Sequence, residues 1–194
     1  EAGLRAKYGI VGRFLAGLGG YERRKNVGLL IRMLREEVPN LPRTLVLAGA
    51  ENIGATRYRE EAAALGDSAT VRFLPYVSHD ELRGLMVASS AFLWPSLSEG
   101  FGLPLLEAML AGVPVVASDV PVNREIAGEA AIYADPRDPR DWARTVARVC
   151  GDGTLSDELR RRGRERAAAF SWRRAAEATM AVYGKAAEGR KAGS

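Results

Sequence analysis

Short apolar runs alternate with stretches of helical spacing along most of this chain, and that alternation constrains its fold more than any other feature. Residues 14–18, 44–48, 70–74, 91–94, 113–117 and 130–134 read as strands. Val27, Leu30, Ile31, Leu34 and Val38 recur at helical spacing until Pro39 ends the pattern. Further helices are expected over 58–65, from Ser78, from Pro104, and over 139–149, 155–170 and 172–187; no element is assigned between the fifth and sixth strands. Ser78 followed by Glu81 has the spacing of a capping box. Strands joined through helices need crossover connections, so they lie parallel in a sheet covered on both faces. The expectation is one α/β domain over 1–194, with about six mainly parallel strands.

The composition fits that class. Hydrophobic residues at 47% and charged residues at 27% are ordinary for a globular chain, and no apolar run approaches the ~20 residues of a membrane span. No signal peptide is visible, and a cytoplasmic location, in part peripheral to the membrane face, is expected. Cys150 is alone, which excludes a disulfide framework and a zinc cluster within the chain. The formal charge of +4 comes mostly from arginine, the lysines being only Lys7, Lys25, Lys185 and Lys191. That balance suits acidic partners such as nucleotide phosphates or anionic lipid head groups. No nucleic-acid motif is present, and aromatic residues do not interleave with the basic ones. The densest basic run, Arg160 to Arg166, reads first as a solvated helix face and second as a surface leaning on an anionic membrane.

The chemistry concentrates in PSLSEGFGLPLLEAMLAGVPVVASD, from Pro95 to Asp119. Glu99 and Glu107 are separated by seven residues, with Gly100, Gly102 and Pro104 between them. A Gly-rich loop that turns into a helix aims backbone N–H groups at an anion, and the helix dipole adds to the attraction. Carboxylates beside such a loop accept hydrogen bonds from ribose or sugar hydroxyls. Phosphate donors and hydroxyl acceptors together suit a nucleotide sugar. Gly19, Gly20 and Lys25 lie in a second loop, after the first strand, and Tyr76 and Val77 in a third, after the third strand. Ligands of parallel sheets bind beyond the carboxyl ends of the strands, so these loops are expected to meet in one crevice.

SEGFGLPLLEAMLAGVPVVASDV resembles the signature of the donor-binding domain of retaining glycosyltransferases of family 4, enzymes built from two Rossmann-like domains in the GT-B arrangement. GGYERRKNV, RFLPYVSHDEL, EIAGEAAIYADPRDPRDWA and FSWRRAAE resemble the family in the same order. The resemblance implies the C-terminal, donor-binding half, with 1–9 as an inter-domain segment, 171–187 as a helix returning toward an N-terminal acceptor-binding domain, and 188–194 as a loose tail. The implied parent activity is hexose transfer from a nucleotide diphosphate donor to an acceptor hydroxyl with retention, and this half alone is expected to turn over little. GDP-mannose is the first expected donor and a UDP-sugar the next. Lys25 is implied to stabilise the leaving diphosphate, and Glu99 to lie near the donor sugar. Its acid, nucleophile and electrostatic roles stay open. Glu107 is implied to hold the ribose, Gly100, Phe101, Gly102 and Leu103 to offer main-chain contacts to phosphate, and Tyr76 and Val77 to border the base. Many members carry an arginine where this chain has Gly20; Arg24 or Arg23 is a candidate second cation. No cofactor and no metal are expected, because no His, Cys, Asp or Glu cluster has ligand spacing. His79 reads as a helix-start residue. The alternatives are a nucleotide-binding module without transfer activity, or a basic domain acting by protein or membrane contact.

Overall fold

The computed structural model describes residues 2–20, 22–49 and 55–191. Six strands, β1 (Phe14–Leu18), β2 (Thr44–Ala48), β3 (Thr70–Phe73), β4 (Ala91–Trp94), β5 (Val115–Ser118) and β6 (Ile132–Ala134), form one sheet in the order β3-β2-β1-β4-β5-β6. All five pairings are parallel. Strand residues alternate between two cores. Phe14, Ala16, Val46, Phe92, Trp94 and Val115 face one side, and Leu15, Leu45, Leu47, Leu93 and Val116 the other. The first core is closed by α4 (His79–Ala88), α5 (Leu103–Ala111) and α6 (Pro121–Ala127), the second by α2 (Val27–Met33) and α7 (Pro139–Gly151). Trp142 of α7 is fully buried in the second core, and its indole N–H donates to the Asp135 carbonyl at 3.0 Å. Burying each such side chain contributes about 1.5–3 kcal/mol of transfer free energy, so the two layers carry most of the stability.

Differences from the sequence reading have local causes. The helix expected to reach residue 38 ends as α2 at Met33. Its last turn tightens, with the amides of Leu34, Arg35 and Glu36 donating to carbonyls three residues back. The Arg43 guanidinium then donates to the freed carbonyls of Leu34 (2.5 Å) and Glu36 (2.9 Å). Between β5 and β6 lies α6, where no helix was assigned. Only seven residues long, it shows almost no period, but Pro121 suits its first turn. Buried Asn123 ties it to the strand end, its Nδ2 donating to the Ser118 carbonyl at 2.9 Å. The Ser78–Glu81 capping box is present in both halves.

The segment α1 (Ala2–Lys7) lies against α4. Lys7 and the Tyr8 hydroxyl both donate to Glu81. The hydrogen bond from Lys7, with the Ser78 amide behind it, holds the Glu81 carboxyl at about 2. After α8 (Gly153–Ala168), helix α9 runs over Trp172–Lys191, so only 192–194 of the expected tail lie outside the described residues. Among the described residues no helix is long and apolar enough to cross a membrane.

Candidate functional site

The strand order reverses direction between β1 and β4, and there the connections leave the sheet on opposite sides and open a crevice. The loop after β1 and the loop after β4 line it. A single-turn 3₁₀ helix, Arg23–Lys25, carries the cations of the first loop. The two loops are clipped together by the main chain, the Leu97 amide donating to the Arg24 carbonyl at 2.7 Å. Asn26 completes the clip. Its φ of 52° reverses the chain, and its Nδ2 donates to the carbonyls of Pro95 (3.2 Å) and Pro136 (2.9 Å). Asparagine tolerates this left-handed backbone better than most residues. Asn26 is the residue that sequence reasoning missed, and its only signal there was its place between a cationic turn and a helix.

Lys25 and Glu99 meet. Lys25 Nζ stands 2.8 Å from Glu99 Oε1 and 4.7 Å from the centroid of the Trp94 ring. Arg24 reaches the other carboxylate oxygen at 3.0 Å and also pairs with Glu22 at 2.5 Å. The Glu99 side chain is only 10% exposed, against 21% for Lys25 and 46% for Arg24. Burial alone would raise the Glu99 carboxyl. The hydrogen bond from Lys25, the nearby Ser96 hydroxyl and the charges of Lys25 and Arg24 outweigh it and hold the group below its usual range. Ser96 Oγ itself is buried and completes no hydrogen bond of good geometry. Glu99 is therefore an ionised acceptor at neutral pH.

Gly102 caps the start of α5 with φ 95°, a conformation that costs a side chain strain, and Pro104 sits in the first turn. Among the described residues, the amides of Gly100, Phe101, Gly102 and Leu103 donate to no protein acceptor. Space around Gly100 is open. A run of unoccupied donors at a helix N-terminus is suited to an anion. Phe101 is half-exposed and meets Phe170 edge-on at 5.9 Å.

The remaining expected residues divide. The Gly19 amide is already taken by the Ala48 carbonyl at 2.6 Å, so Gly19 shapes the loop. Gly20 makes room for Lys25, since a Cβ there would lie 3.0 Å from Lys25 Cγ. Tyr76 is 86% exposed and Val77 is packed in the core, so of these two only Tyr76 turns its side chain outward. Glu107 lies one turn inside α5, on the wall of a cleft of about 430 Å³ between α4 and α5 that His79, Arg83 and Leu110 also line. Among the described residues no group of three or more His, Cys, Asp and Glu is placed to hold a metal.

Comparison with known proteins identifies the family. The family described as "Glycosyl transferases group 1" matches residues 9–167. The D-inositol 3-phosphate glycosyltransferase of Salinispora arenicola is 36% identical over 189 residues, which are 90% of this chain and 42% of that protein. The O-antigen chain mannosyltransferase B of Escherichia coli is 38% identical over 113 residues, 58% of this chain and 30% of that one. The structure of sucrose-phosphate synthase from Thermosynechococcus elongatus superposes with a TM-score of 0.78 and 28% identity, covering 97% of this chain and 49% of that one. The chain thus spans less than half the length of these relatives. It belongs to the group 1 glycosyl transferases, glycosyltransferase family 4, as the C-terminal-type half of a GT-B architecture.

Proposed function

We propose that the β1–β4 crevice binds a nucleotide-diphosphate sugar and is the donor side of a retaining hexosyltransferase. The observation that carries this reading is the meeting of Lys25 and Glu99 at the switch point, beside the unoccupied amides of α5. An ammonium has three donors. Lys25 can keep Glu99 and the Trp94 face while giving a hydrogen to a diphosphate oxygen, stabilising the charge that grows there as the sugar–phosphate bond breaks. The amides of Gly100 to Leu103 add fixed dipoles that need no reorganisation. Glu99, ionised and nearly buried, orients the sugar hydroxyls and favours positive charge developing at the reacting carbon. Glu107 accepts from the ribose hydroxyls. Tyr76 borders the base.

The acceptor belongs to an N-terminal domain, toward which α9 returns. GDP-mannose is the first candidate donor, in keeping with the mannosyltransferase among the relatives, and a UDP-sugar the second. Transfer is proposed to need no metal ion. A purely membrane-contact role has less support, because the arginines of α8 are largely occupied within the molecule: Arg161 and Arg162 with Glu158, and Arg166 with the carbonyls of Glu125 and Ile126. The test is transfer to an acceptor hydroxyl with the acceptor-side domain supplied, following the product's anomeric configuration by NMR. Retained configuration with GDP-mannose or a UDP-sugar supports the reading. Inverted product, or no transfer from either donor class, contradicts it.

A further inference from the structure

The loop over residues 100–103 has little of its own to hold it in place. Glycines stand at 100 and 102, its amides donate to no protein acceptor among the described residues, and the space around Gly100 is open. Such a stretch keeps backbone freedom that an anion must quench on binding. Phe101, between the two glycines, is the side chain through which the loop can be steadied. Its half-exposed ring meets Phe170 edge-on, with centroids 5.9 Å apart and planes at 80°, a geometry that aromatic pairs prefer. Phe170 reaches the loop because α8 runs antiparallel to α5. A Cβ on Gly163 would lie 3.4 Å from Met109 Cβ, so the two helices touch closely toward the end of α5, and further along α8 the chain arrives at the start of α5. Phe170 is itself held. It packs half-buried against the first core, and its amide donates to the Ala167 carbonyl at 3.0 Å. The Arg166 guanidinium lies 5.0 Å over its ring and donates to the carbonyls of Ile126 (2.8 Å) and Glu125 (2.6 Å) in α6. The Phe170 ring is thus anchored from α6 and α8 on one side and turned to the loop on the other.

We propose that Phe170 is a positioning residue of the donor site: through Phe101 it holds the main-chain amides of residues 100–103 in the arrangement that an anion meets. This rests on the nucleotide-sugar reading of the crevice. Phe170 acts on the order of the loop and touches no ligand. Fixing the loop before the ligand arrives lowers the conformational entropy lost on binding, so its effect falls on phosphate affinity and spares the nucleoside. Phe170 lies past residues 9–167, the part of the chain that matches the family, so the support comes from outside the matched segment.

The experiment is calorimetric titration with GDP and UDP of the whole chain and of its Phe101→Leu, Phe170→Leu, doubly substituted and Phe170→Tyr variants, with Lys25→Ala as the reference for a lost phosphate contact. The tighter of the two diphosphates is then compared with its nucleoside. Each leucine variant is expected to weaken the diphosphate roughly fivefold and leave the nucleoside unchanged. The double variant should bind no more weakly than either single one, and Phe170→Tyr, which keeps the ring, should stay close to the parent. A merely structural Phe170 would lower diphosphate and nucleoside together, or add its loss to that of Phe101→Leu, and either result overturns the proposal. Phe101→Leu alters a half-exposed loop side chain and keeps the fold, so it decides the matter even where Phe170→Leu does not fold. Diphosphate affinity unchanged in Phe101→Leu but lowered in Lys25→Ala overturns the positioning role while leaving the diphosphate site intact. Diphosphate affinity unchanged in Lys25→Ala, or absent in the parent chain, removes the underlying reading and this inference with it.

Discussion

The crevice around Glu99 and the outer face of α8 are both dense in ion pairs, but they are built differently. On α8, Arg160, Arg161 and Arg162 pair with Asp157, Glu158 and Glu165 at spacings of three and four along one helix, in contact with water. In the crevice, cations from one loop cross to a nearly buried carboxylate of another, seventy-five residues away for Arg24. Exposed pairs gain little because water screens them and long side chains lose freedom. A convergent pair against an aromatic ring, beside amides that no protein acceptor takes, is what the proposed donor site rests on. In the proposed reading the convergence and burial of charges matter more than their number, and the densest basic run in the sequence is not the proposed site.

The sharpest way to break this comparison is Lys25→Ala. It removes the cation nearest the carboxylate, and affinity for a nucleoside diphosphate is expected to fall roughly 10- to 100-fold with nucleoside affinity unchanged, as read by calorimetry. Next comes Glu99→Gln, a near-isosteric loss of charge. With the acceptor-side domain supplied, transfer is expected to fall about a hundredfold. Diphosphate affinity should hold or rise, since Lys25 and Arg24 lose their competing carboxylate. A parallel fall in both quantities would make Glu99 a structural prop. Glu107→Gln is expected to weaken a ribonucleotide by roughly tenfold and its 2′,3′-dideoxy analogue hardly at all. Equal losses for both would move Glu107 out of the ribose contact.

The smallest effect belongs to α8. Hydrogen bonds from Arg161 and Arg162 hold the Glu158 carboxyl at about 2. A depressed folded value contributes stability that is present above the unfolded carboxylate range, near 4.3, and is lost as pH falls from there toward 2. Glu158→Gln should flatten that acid limb slightly and leave the melting temperature at neutral pH close to the parent's. A large drop at neutral pH would show that counting exposed pairs was the better guide after all.

Most strands were legible as short apolar runs between breakers, β3 with its Thr70 and Arg72 being the exception, and parallel pairing followed from the helices between them. The Lys25, Glu99 and Glu107 positions stood out by motif and resemblance. What the sequence hid depends on single side-chain contacts to the main chain. Arg43 answering the carbonyls at the end of α2, Asn123 tying α6 to the end of β5 and Asn26 clipping two loops are single polar side chains on main-chain carbonyls, with no periodic pattern to reveal them. Trp94 looked like a strand residue, and only the geometry shows its ring serving as the face on which Lys25 rests. Tyr76 and Val77 are neighbours in sequence with opposite fates, because an extended loop sends consecutive side chains to opposite sides.

Titration of the purified chain with GDP, UDP and ADP, first without metal and then with magnesium, tests the central claim most directly. The crevice described here predicts saturable binding of one diphosphate at one site per chain, with an affinity that magnesium leaves unchanged. Failure of all three nucleotides to bind would contradict it.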